Sequence, residues 1–256
     1  MTGDEARLLD LLAPYRRARD FHLYGPGNPR LLDLWRMNGR AFLGYRPANF
    51  TLGLKNILAQ GGLVPLPSPW KLRLDKLLKS QYPQWPHRSF FPHVQDLMKT
   101  TGKERWADPA LAQEGTHFLG RPGIAVPQTC DFLWLINSDG GLGPEILLSK
   151  KPLPVYYQNS PLSLAAGVFG LTLLAAWEKL KKSDFSPWDS SKTSRIGPYL
   201  TWVNPPENYP NFFQFMLNRG FIIPPASNLP LILPLQWSEG EVKSFQKAIK
   251  EWSWNS

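Results

Sequence analysis

The side chains in this sequence that could act as nucleophiles are one thiol, Cys130, and two adjacent amines, Lys150 and Lys151. A thiol reacts as its thiolate, and an amine reacts only after it has lost its proton. Cys130 is better interpreted as a small packed residue, because free cysteines are among the most buried residue types. Adjacent lysines are usually solvated, and a solvated lysine keeps a pKa of about 10 and is a poor nucleophile. The residue types therefore provide candidates but do not identify a reaction.

The sequence lacks the short motifs of several large enzyme classes. It contains neither a GxGxxG nor a GxxxxGK[S/T] phosphate-binding loop, and no GxSxG turn of a serine hydrolase. The histidines and the single cysteine have no spacing that suits a metal ion. No carboxylate pair is recognisable by its spacing. The four histidines are His22, His87, His93 and His117.

Positive charge is concentrated in the first part of the chain. Residues 1–106 contain 17 lysines and arginines against 8 acidic residues, whereas residues 107–256 contain 12 basic and 12 acidic residues. A basic surface attracts nucleic acid, anionic lipid or phosphorylated ligands. The basic residues are spread singly among apolar ones, so a solvated surface is the favoured interpretation. A protein that binds nucleic acid or an acidic partner stays an alternative.

Short apolar segments surround the candidate amines. Phe132–Ile136 and Ile146–Leu148 are predicted to be buried strands, and His87–Phe91 is predicted to be a further short strand. Ser160 precedes a proline, which is typical of a helix N-cap followed by proline at the first helical position. The predicted helix, Leu162–Lys182, begins with an apolar run that is too short for the roughly 20 residues of a membrane span.

The stretch Leu31–Pro47 is predicted to be a β-hairpin, because Asn38-Gly39 tolerates the positive φ angles of a tight turn. Leucines at near-helical spacing predict a helix over Glu5–Arg19. Two more amphipathic helices are predicted to follow the hairpin, over Asn49–Gln60 and Pro69–Ser80.

The last part of the chain alternates between helices and strands. Ser238 and Glu241 form a capping-box sequence before the final helix. The alternation predicts an α+β layer in which helices pack on a small sheet. The predicted strands are Tyr199–Val203, Phe221–Ile223 and Leu231–Leu233, and the predicted helices are Asn208–Gly220 and Ser238–Trp252.

Four segments resemble class III aminotransferases, most closely glutamate semialdehyde aminomutase, in the order of that family. These are fold-type I enzymes that use pyridoxal phosphate (PLP). The resemblance implies an α/β (α+β) fold that is a shrunken PLP-transferase fold. Its implied parts are an N-terminal segment (1–87), a reduced remnant of the cofactor domain (88–159) and a C-terminal small domain (160–256). The four segments are Leu31–Pro47 with Gln60-Gly61-Gly62, Val155–Leu174, Asn211–Ser227 and Ser238–Trp252.

The same resemblance assigns roles to individual residues. Lys150 matches the lysine that forms a Schiff base with the cofactor in that family. Asn137 stands where the family has an aspartate beside the pyridine nitrogen, and Asp139 lies two residues further on. A neutral amide cannot stabilise a pyridinium as a carboxylate does. Ser160, at the start of a helix, is the remaining candidate cofactor-binding residue.

These departures imply a divergent aminotransferase-like protein that is not an active transaminase and acts by binding a ligand or a partner. At Phe90–Val94 a proline also replaces the glycine–threonine turn that binds the cofactor phosphate in the family. The alternative is a minimal PLP-dependent aminotransferase or aminomutase that uses Lys150.

The resemblance further implies a homodimer and a small amino or keto compound as ligand, with PLP as the candidate cofactor. We expect no metal, no membrane span and no nucleic-acid partner. With one cysteine the chain cannot form an intrachain disulfide, which fits a reducing cytoplasm.

Overall fold

The computed structural model describes residues 3–12, 14–25, 30–45, 50–59, 69–91, 93–102, 105–135, 145–153, 167, 170–171, 174, 191–234 and 237–254. The chain forms two compact units. Unit 1 comprises Met1–Arg46 with Phe185–Ser256, and unit 2 comprises Pro47–Asp184. The segment limits that the sequence predicts after residues 87 and 159 stay predictions.

The elements are short, in keeping with the 26 prolines of the chain. The helices are α1 (Gly3–Asp10), α2 (Phe50–Ala59), α3 (Pro69–Gln81), α4 (Val94–Thr101), α5 (Tyr209–Asn218) and α6 (Glu239–Glu251). The strands are β1 (Arg17–Arg19), β2 (His22–Tyr24), β3 (Leu31–Asp33), β4 (His87–Phe91), β5 (His117–Gly120), β6 (Phe132–Leu135), β7 (Glu145–Ser149), β8 (Thr193–Ile196), β9 (Tyr199–Trp202), β10 (Phe221–Ile222) and β11 (Leu231–Ile232).

Unit 1 contains two small sheets, with strand orders β1-β2-β3-β10 and β11-β9-β8. β3 pairs in parallel with β10, with Leu32 opposite Phe221. The N-terminal segment therefore packs with the C-terminal elements. Side chains of α1, α5 and α6 share one buried core with both sheets, including Phe212, Phe213 and Phe245.

Two helix starts in unit 1 are fixed by local sequence. The Asn208 side chain accepts a hydrogen bond from the Asn211 backbone N–H at 3.2 Å and so caps α5. The Ser238 hydroxyl accepts from the Glu241 N–H at 3.2 Å, while the Glu241 carboxylate accepts from the Ser238 N–H at 3.2 Å. The predicted capping box is therefore present.

The predicted hairpin at Asn38-Gly39 is wrong. β3 is followed by turns rather than by a second strand, and four successive residues from Arg36 to Gly39 have positive φ angles of 48–92°. The reason is a buried side chain: the Arg36 guanidinium is fully buried. It donates hydrogen bonds to the carbonyl oxygens of Phe42 and Ile232, both at 3.0 Å. These contacts with distant backbone hold the left-handed turn, which non-glycine residues otherwise avoid.

Asp33 completes this buried group. Its carboxylate accepts from the backbone N–H groups of Trp35 and Arg36 at 2.8 and 2.9 Å, and from the Tyr45 hydroxyl. Burial raises the pKa of Asp33 although these hydrogen bonds oppose the shift. Burial likewise lowers the pKa of Arg36 to about 10, against the opposing charge of Asp33. The group fixes the loop after β3, so we interpret it as structural.

Unit 2 is built on one sheet with the order β4-β7-β6-β5. β5 and β6 are parallel, and β7 is antiparallel to both of its neighbours, so β4, β5 and β6 all run in one direction. Leu74 and Leu78 of α3 are buried. A Cβ added at Gly167 would lie 2.6 Å from the Trp70 Cβ. The lack of a side chain at Gly167 therefore allows α3 to lie close to this residue.

Most predicted elements are present among the described residues. β4 has the predicted bounds, and α2, α3, β6 and β7 differ from prediction by no more than one residue at either end. The predicted helix Glu5–Arg19 is too long, since α1 ends at Asp10. The sequence does not predict β1, β5 or β8. Most of the predicted helix Leu162–Lys182 lies outside the described residues.

Candidate active-site cavity

The strand ends of the unit 2 sheet form two sides, which we call its carboxyl edge and its amino edge, and these decide where a ligand can bind. Its carboxyl edge is where β4, β5 and β6 end, at Phe91, Gly120 and Leu135, and where β7 begins. The opposite, amino edge contains the starts of those three strands and the end of β7 at Ser149. In open α/β sheets, ligands bind outside the carboxyl ends of the parallel strands.

A cavity of about 370 Å³ touches the carboxyl ends of β5 and β6. We call it the crossover cavity, because the segment that leaves β5 and returns towards β6 covers it. Its volume falls within the range of about 300–1,000 Å³ that is usual for small-molecule sites. Its walls are the end of α3 and the turn after it (Gln81, Tyr82, Gln84), the strand ends (Gly120, Leu135) and the crossover segment (Arg121–Val126).

A tight turn forms the first part of the crossover segment. The Ile124 N–H donates to the Arg121 carbonyl at 3.3 Å, and Gly123 has a φ of 79°. Proline at the second position and a positive φ at the third are typical of a type II turn. The sequence Arg-Pro-Gly-Ile therefore sets the shape of this wall locally.

Gly120 is required where β5 reaches the cavity. A Cβ at this position would lie 2.5 Å from the Leu135 Cδ2 and 3.2 Å from the Leu135 Cα. Those distances are inside van der Waals contact, so a larger residue would push the ends of β5 and β6 apart. The glycine thus keeps the floor of the crossover cavity in place.

A buried ion pair supports the same wall. The Arg121 side chain is fully buried, and the Asp108 side chain is 7% exposed. The guanidinium reaches both carboxylate oxygens, donating through Nε to Oδ1 at 3.1 Å and through Nη2 to Oδ2. Asp108 also accepts from the Ala110 N–H at 3.0 Å, which caps the short 3-10 helix Pro109–Leu111. The positive charge beside the cavity is therefore already neutralised.

The remaining polar groups of the cavity wall are uncharged. They are the side-chain amides of Gln81 and Gln84, the phenol of Tyr82 and the peptide groups of the crossover segment. The Gln81 Oε1 atom is buried and makes no hydrogen bond among the described residues. Such a wall offers hydrogen-bond donors and acceptors to a neutral ligand.

Lys150 lies at the amino edge, directly after the end of β7. Its backbone N–H donates to the Asp131 carbonyl at 2.9 Å. Its Nζ donates to the Gln128 carbonyl at 2.7 Å and lies 5.9 Å from the centre of the Trp85 ring. The amine is therefore held by a backbone acceptor, and it is not part of the cavity wall.

The other amine and the thiol have structural contacts. Lys151 pairs with Asp131 at 2.7 Å, and this hydrogen bond lowers the pKa of that carboxyl group. Burial raises the pKa of the Cys130 thiol to about 12, so the thiolate does not form near neutral pH. Cys130 is a buried packed residue, as its type predicts.

Asn137, Asp139 and Ser160 lie outside the described residues. The segment 136–144, which carries the first two, is attached to the sheet at Leu135 and Glu145, both at the carboxyl edge. Lys150 leaves the sheet at the other end of β7, about 13 Å away along the strand. Lys150 and the described residues that flank this segment therefore lie at opposite edges of the sheet, and the positions of Asn137 and Asp139 relative to Lys150 stay predictions.

The described residues at the carboxyl edge do not fit a PLP site of the expected kind. No lysine lies among the described residues of the cavity wall. The two nearby carboxylates are both engaged, since Asp108 pairs with Arg121 and Glu145 accepts from the Trp134 indole at 2.7 Å. Neither is free to pair with a pyridine nitrogen.

Among the described residues, no group of three metal-ligating side chains occurs, and no helix within these ranges is long and apolar enough to cross a membrane.

The sequence interpretation misses Asp108, Gly120 and Arg121, because residues 103–129 show no clear periodicity. Two local signals were present there. Asp108 precedes a proline, which is typical of a helix N-cap, and Arg121-Pro-Gly is typical of a turn after a short strand.

Comparisons with known proteins identify the fold. No protein-family profile matches the sequence. An uncharacterised protein from Borreliella burgdorferi is 27% identical over 247 residues, which cover 94% of this chain and 91% of that protein.

Several solved aminotransferase structures are similar to the chain. Plasmodium falciparum ornithine delta-aminotransferase has a TM-score of 0.66 at 12% identity, covering 93% of this chain and 91% of that one. An omega-transaminase from Sphaerobacter thermophilus has a TM-score of 0.60 at 13% identity, covering 91% and 89%. A transaminase with PLP bound has a TM-score of 0.58 at 10% identity, covering 96% and 95%. The chain thus has a mixed α/β, aminotransferase-like fold, which confirms the predicted fold class.

Proposed function

We propose that this protein is a divergent aminotransferase-like protein that binds a small neutral ligand in the crossover cavity and does not transaminate through Lys150. The observation that carries the proposal is the placement of the two features. The cavity touches the carboxyl ends of β5 and β6, where ligands bind in this class of sheet. The Lys150 amine lies at the amino edge and is hydrogen-bonded to the Gln128 carbonyl.

The chemistry of the wall supports the choice of a neutral ligand. A charged ligand would lose its hydration and gain no free counter-charge, because Arg121 is already paired with Asp108. A neutral ring that carries an amide or a carbonyl group could exchange hydrogen bonds with Gln81, Gln84 and the peptide groups of the crossover segment. Apolar contact would come from Ile124 and Leu135.

The proposal includes a cofactor domain that has been reduced. This part of the proposal rests on the resemblance, in which four short segments of the sequence follow the order of the family. Following the resemblance, we also propose that the protein is a cytoplasmic homodimer. Light scattering coupled to size exclusion tests the dimer, and a mass of 29.1 kDa would contradict it.

Trapping of PLP by reduction tests the claim about Lys150. The protein is mixed with PLP, treated with borohydride and analysed by peptide mass spectrometry, with Lys150→Ala and Lys151→Ala as paired variants. We expect no selective modification of Lys150, and the same trace labelling in both variants. Stoichiometric labelling at Lys150, lost in Lys150→Ala and retained in Lys151→Ala, would show that the minimal-enzyme alternative is right.

Ligand-observed NMR tests the cavity with nicotinamide, a neutral heteroaromatic amide, as the probe. We expect binding that Ile124→Trp abolishes, because the larger ring fills the cavity. Gln128→Trp is the matched control, since Gln128 is an exposed residue of the same connection outside the cavity wall. Equal binding by both variants would contradict a ligand site in the crossover cavity.

A further inference from the structure

Helix α3 has one buried face and one exposed face. Leu74 and Leu78 are fully buried, whereas Leu72 is 73% exposed. At 3.6 residues per turn, the exposed residues of α3 fall within a single arc of about 120°. We call this arc the α3 outer face. Its members are Pro69, Leu72, Arg73, Lys76, Lys79 and Ser80.

The α3 outer face carries positive charge and no carboxylate. Arg73, Lys76 and Lys79 are exposed cations, and none of them pairs with a carboxylate among the described residues. Asp75, the single acidic residue of α3, lies outside this face and is paired with Arg88 at 2.7 Å. The positive charge of the outer face is therefore not neutralised within the described part of the protein.

The helix gathers cations that are separated in the sequence. Arg73, Lys76 and Lys79 follow one another at intervals of three residues, so they form a row about 9 Å long on the helix surface. The sequence favours a solvated basic surface because its cations are spread singly among apolar residues. The helical periodicity instead turns those apolar residues inward and brings three cations together.

An exposed leucine lies within this row of cations. By helical angle, Leu72 stands between Lys76 and Lys79. One turn of the same helix also contains the half-buried Trp70, whose ring lies 4.6 Å from the Arg73 guanidinium carbon. Leucine and tryptophan beside lysine and arginine are typical of protein surfaces that lie at the boundary between lipid headgroups and acyl chains.

The two other classes of partner fit this face less well. A second copy that used the same face would bring like charges together, because the face contains no carboxylate. The phosphate backbone of a nucleic acid is contacted by cations and polar groups, so it would leave Leu72 without an apolar contact. An anionic bilayer offers headgroup charges to the cations and an apolar layer to the leucine.

We propose that the α3 outer face docks on a lipid bilayer that contains anionic phospholipids. Arg73, Lys76 and Lys79 contact the headgroup charges, and Leu72 reaches into the boundary below them. Long lysine side chains suit this role, since their stems lie along apolar surface while the amines stay among the headgroups. The inference is independent of the function proposed for the crossover cavity, because it involves neither that cavity nor Lys150.

Co-sedimentation of the full chain with lipid vesicles tests the proposal. One set of vesicles is pure phosphatidylcholine, and the other contains about one third phosphatidylserine. We expect binding to the anionic vesicles only, and we expect added salt to weaken it because the contacts are electrostatic. Equal binding to both sets, or no binding to either, would overturn the proposal.

Paired lysine variants locate the docking face. Lys76→Gln/Lys79→Gln should weaken binding to the anionic vesicles about 25-fold, since each cation near such a surface contributes a factor of about five. Lys243→Gln/Lys247→Gln is the matched control. It changes the net charge equally at two exposed positions of α6, both 72% exposed. The control should stay within about twofold of the parent protein, and equal losses in the two double variants would overturn the assignment to α3.

Leu72→Ser separates a bilayer from a nucleic acid. Loss of the inserted side chain should weaken binding to the anionic vesicles about tenfold. The same variant should not change whatever weak binding a DNA duplex shows at low salt, because phosphate contacts do not use the leucine. Unchanged vesicle binding by Leu72→Ser, or DNA binding tighter than vesicle binding and lost in Lys76→Gln/Lys79→Gln, would overturn the choice of a bilayer.

Discussion

The buried pair of Asp108 and Arg121 should be among the most sensitive points of unit 2. Replacing Asp108 by alanine removes the acceptor of three hydrogen bonds, two from Arg121 and one from the Ala110 N–H. It also leaves a fully buried guanidinium without a counter-charge. Breaking a buried pair on one side costs about 3–5 kcal/mol. We therefore expect Asp108→Ala to lower the free energy of unfolding by that amount.

Two further variants separate the sources of this loss. Asp108→Asn keeps an acceptor for the Ala110 N–H and should recover about 1 kcal/mol, the usual value of a helix cap. The double variant Asp108→Asn/Arg121→Met removes both charges. Its loss of unfolding free energy should be smaller than the summed losses of Asp108→Asn and Arg121→Met by at least about 2 kcal/mol, because no unpaired charge stays buried.

Urea unfolding, followed by amide hydrogen exchange in β5 and β6, measures these changes. Exchange is preferable to fluorescence because the 11 tryptophans would mix signals from both units. The exposed pair of Glu239 and Lys243 is the control, with side chains 81% and 72% exposed. Glu239→Gln should not change the exchange of unit 2. A loss below about 1 kcal/mol for Asp108→Ala, or strict additivity in the double variant, would refute this reasoning.

Three other predictions concern unit 1. Burial raises the pKa of Glu241, but hydrogen bonds from His22 and from the N-cap serine of α6 outweigh it, so the net pKa is lowered. The stability that Glu241 adds over Glu241→Gln should then be present at neutral pH and disappear as the pH falls below about 4, and a difference that grows on acidification would contradict this. Met37 has a φ of 52° and is 42% exposed, so Met37→Gly should raise the free energy of unfolding by up to about 1 kcal/mol and with it the melting temperature. A lower melting temperature would contradict a left-handed turn at this residue. Gly44 has a φ of 83°, and a Cβ there would lie 2.9 Å from the Asp20 carbonyl carbon, so Gly44→Ala should lower the free energy of unfolding by more than about 1 kcal/mol. Gly240 has open space around it, so Gly240→Ala should leave the thermal stability unchanged or raise it.

Signals between residues close in sequence were sufficient to predict many elements. The capping box of Ser238 and Glu241 predicts the start of α6, and the proline after Ser68 predicts the start of α3. The apolar runs predict β4, β6 and β7 to within two residues at each end. These signals work because caps, turns and runs depend on contacts within a few residues.

The short strands β5 and β8 were not predictable in this way. β5 has four residues, and its sequence His-Phe-Leu-Gly ends in a glycine that intrinsically disfavours strands. It forms because β6 and the bridge at Ala107 supply hydrogen-bond partners on both sides. The hairpin predicted after β3 was wrong for the same reason, because the Arg36 side chain donates a hydrogen bond to the Ile232 carbonyl, nearly 200 residues away.

The sequence by itself determined the fold class, most helices and the resemblance to aminotransferases. The tertiary structure alone decided the candidate site. Lys150 follows a strand, and only the pairing of β7 antiparallel to β4 and β6 places it at the amino edge. Gly120, Arg121 and Asp108 likewise meet beside a cavity because β5 ends at the opposite edge. Strand direction is set by contacts between segments that are distant in sequence, so no local pattern contains it.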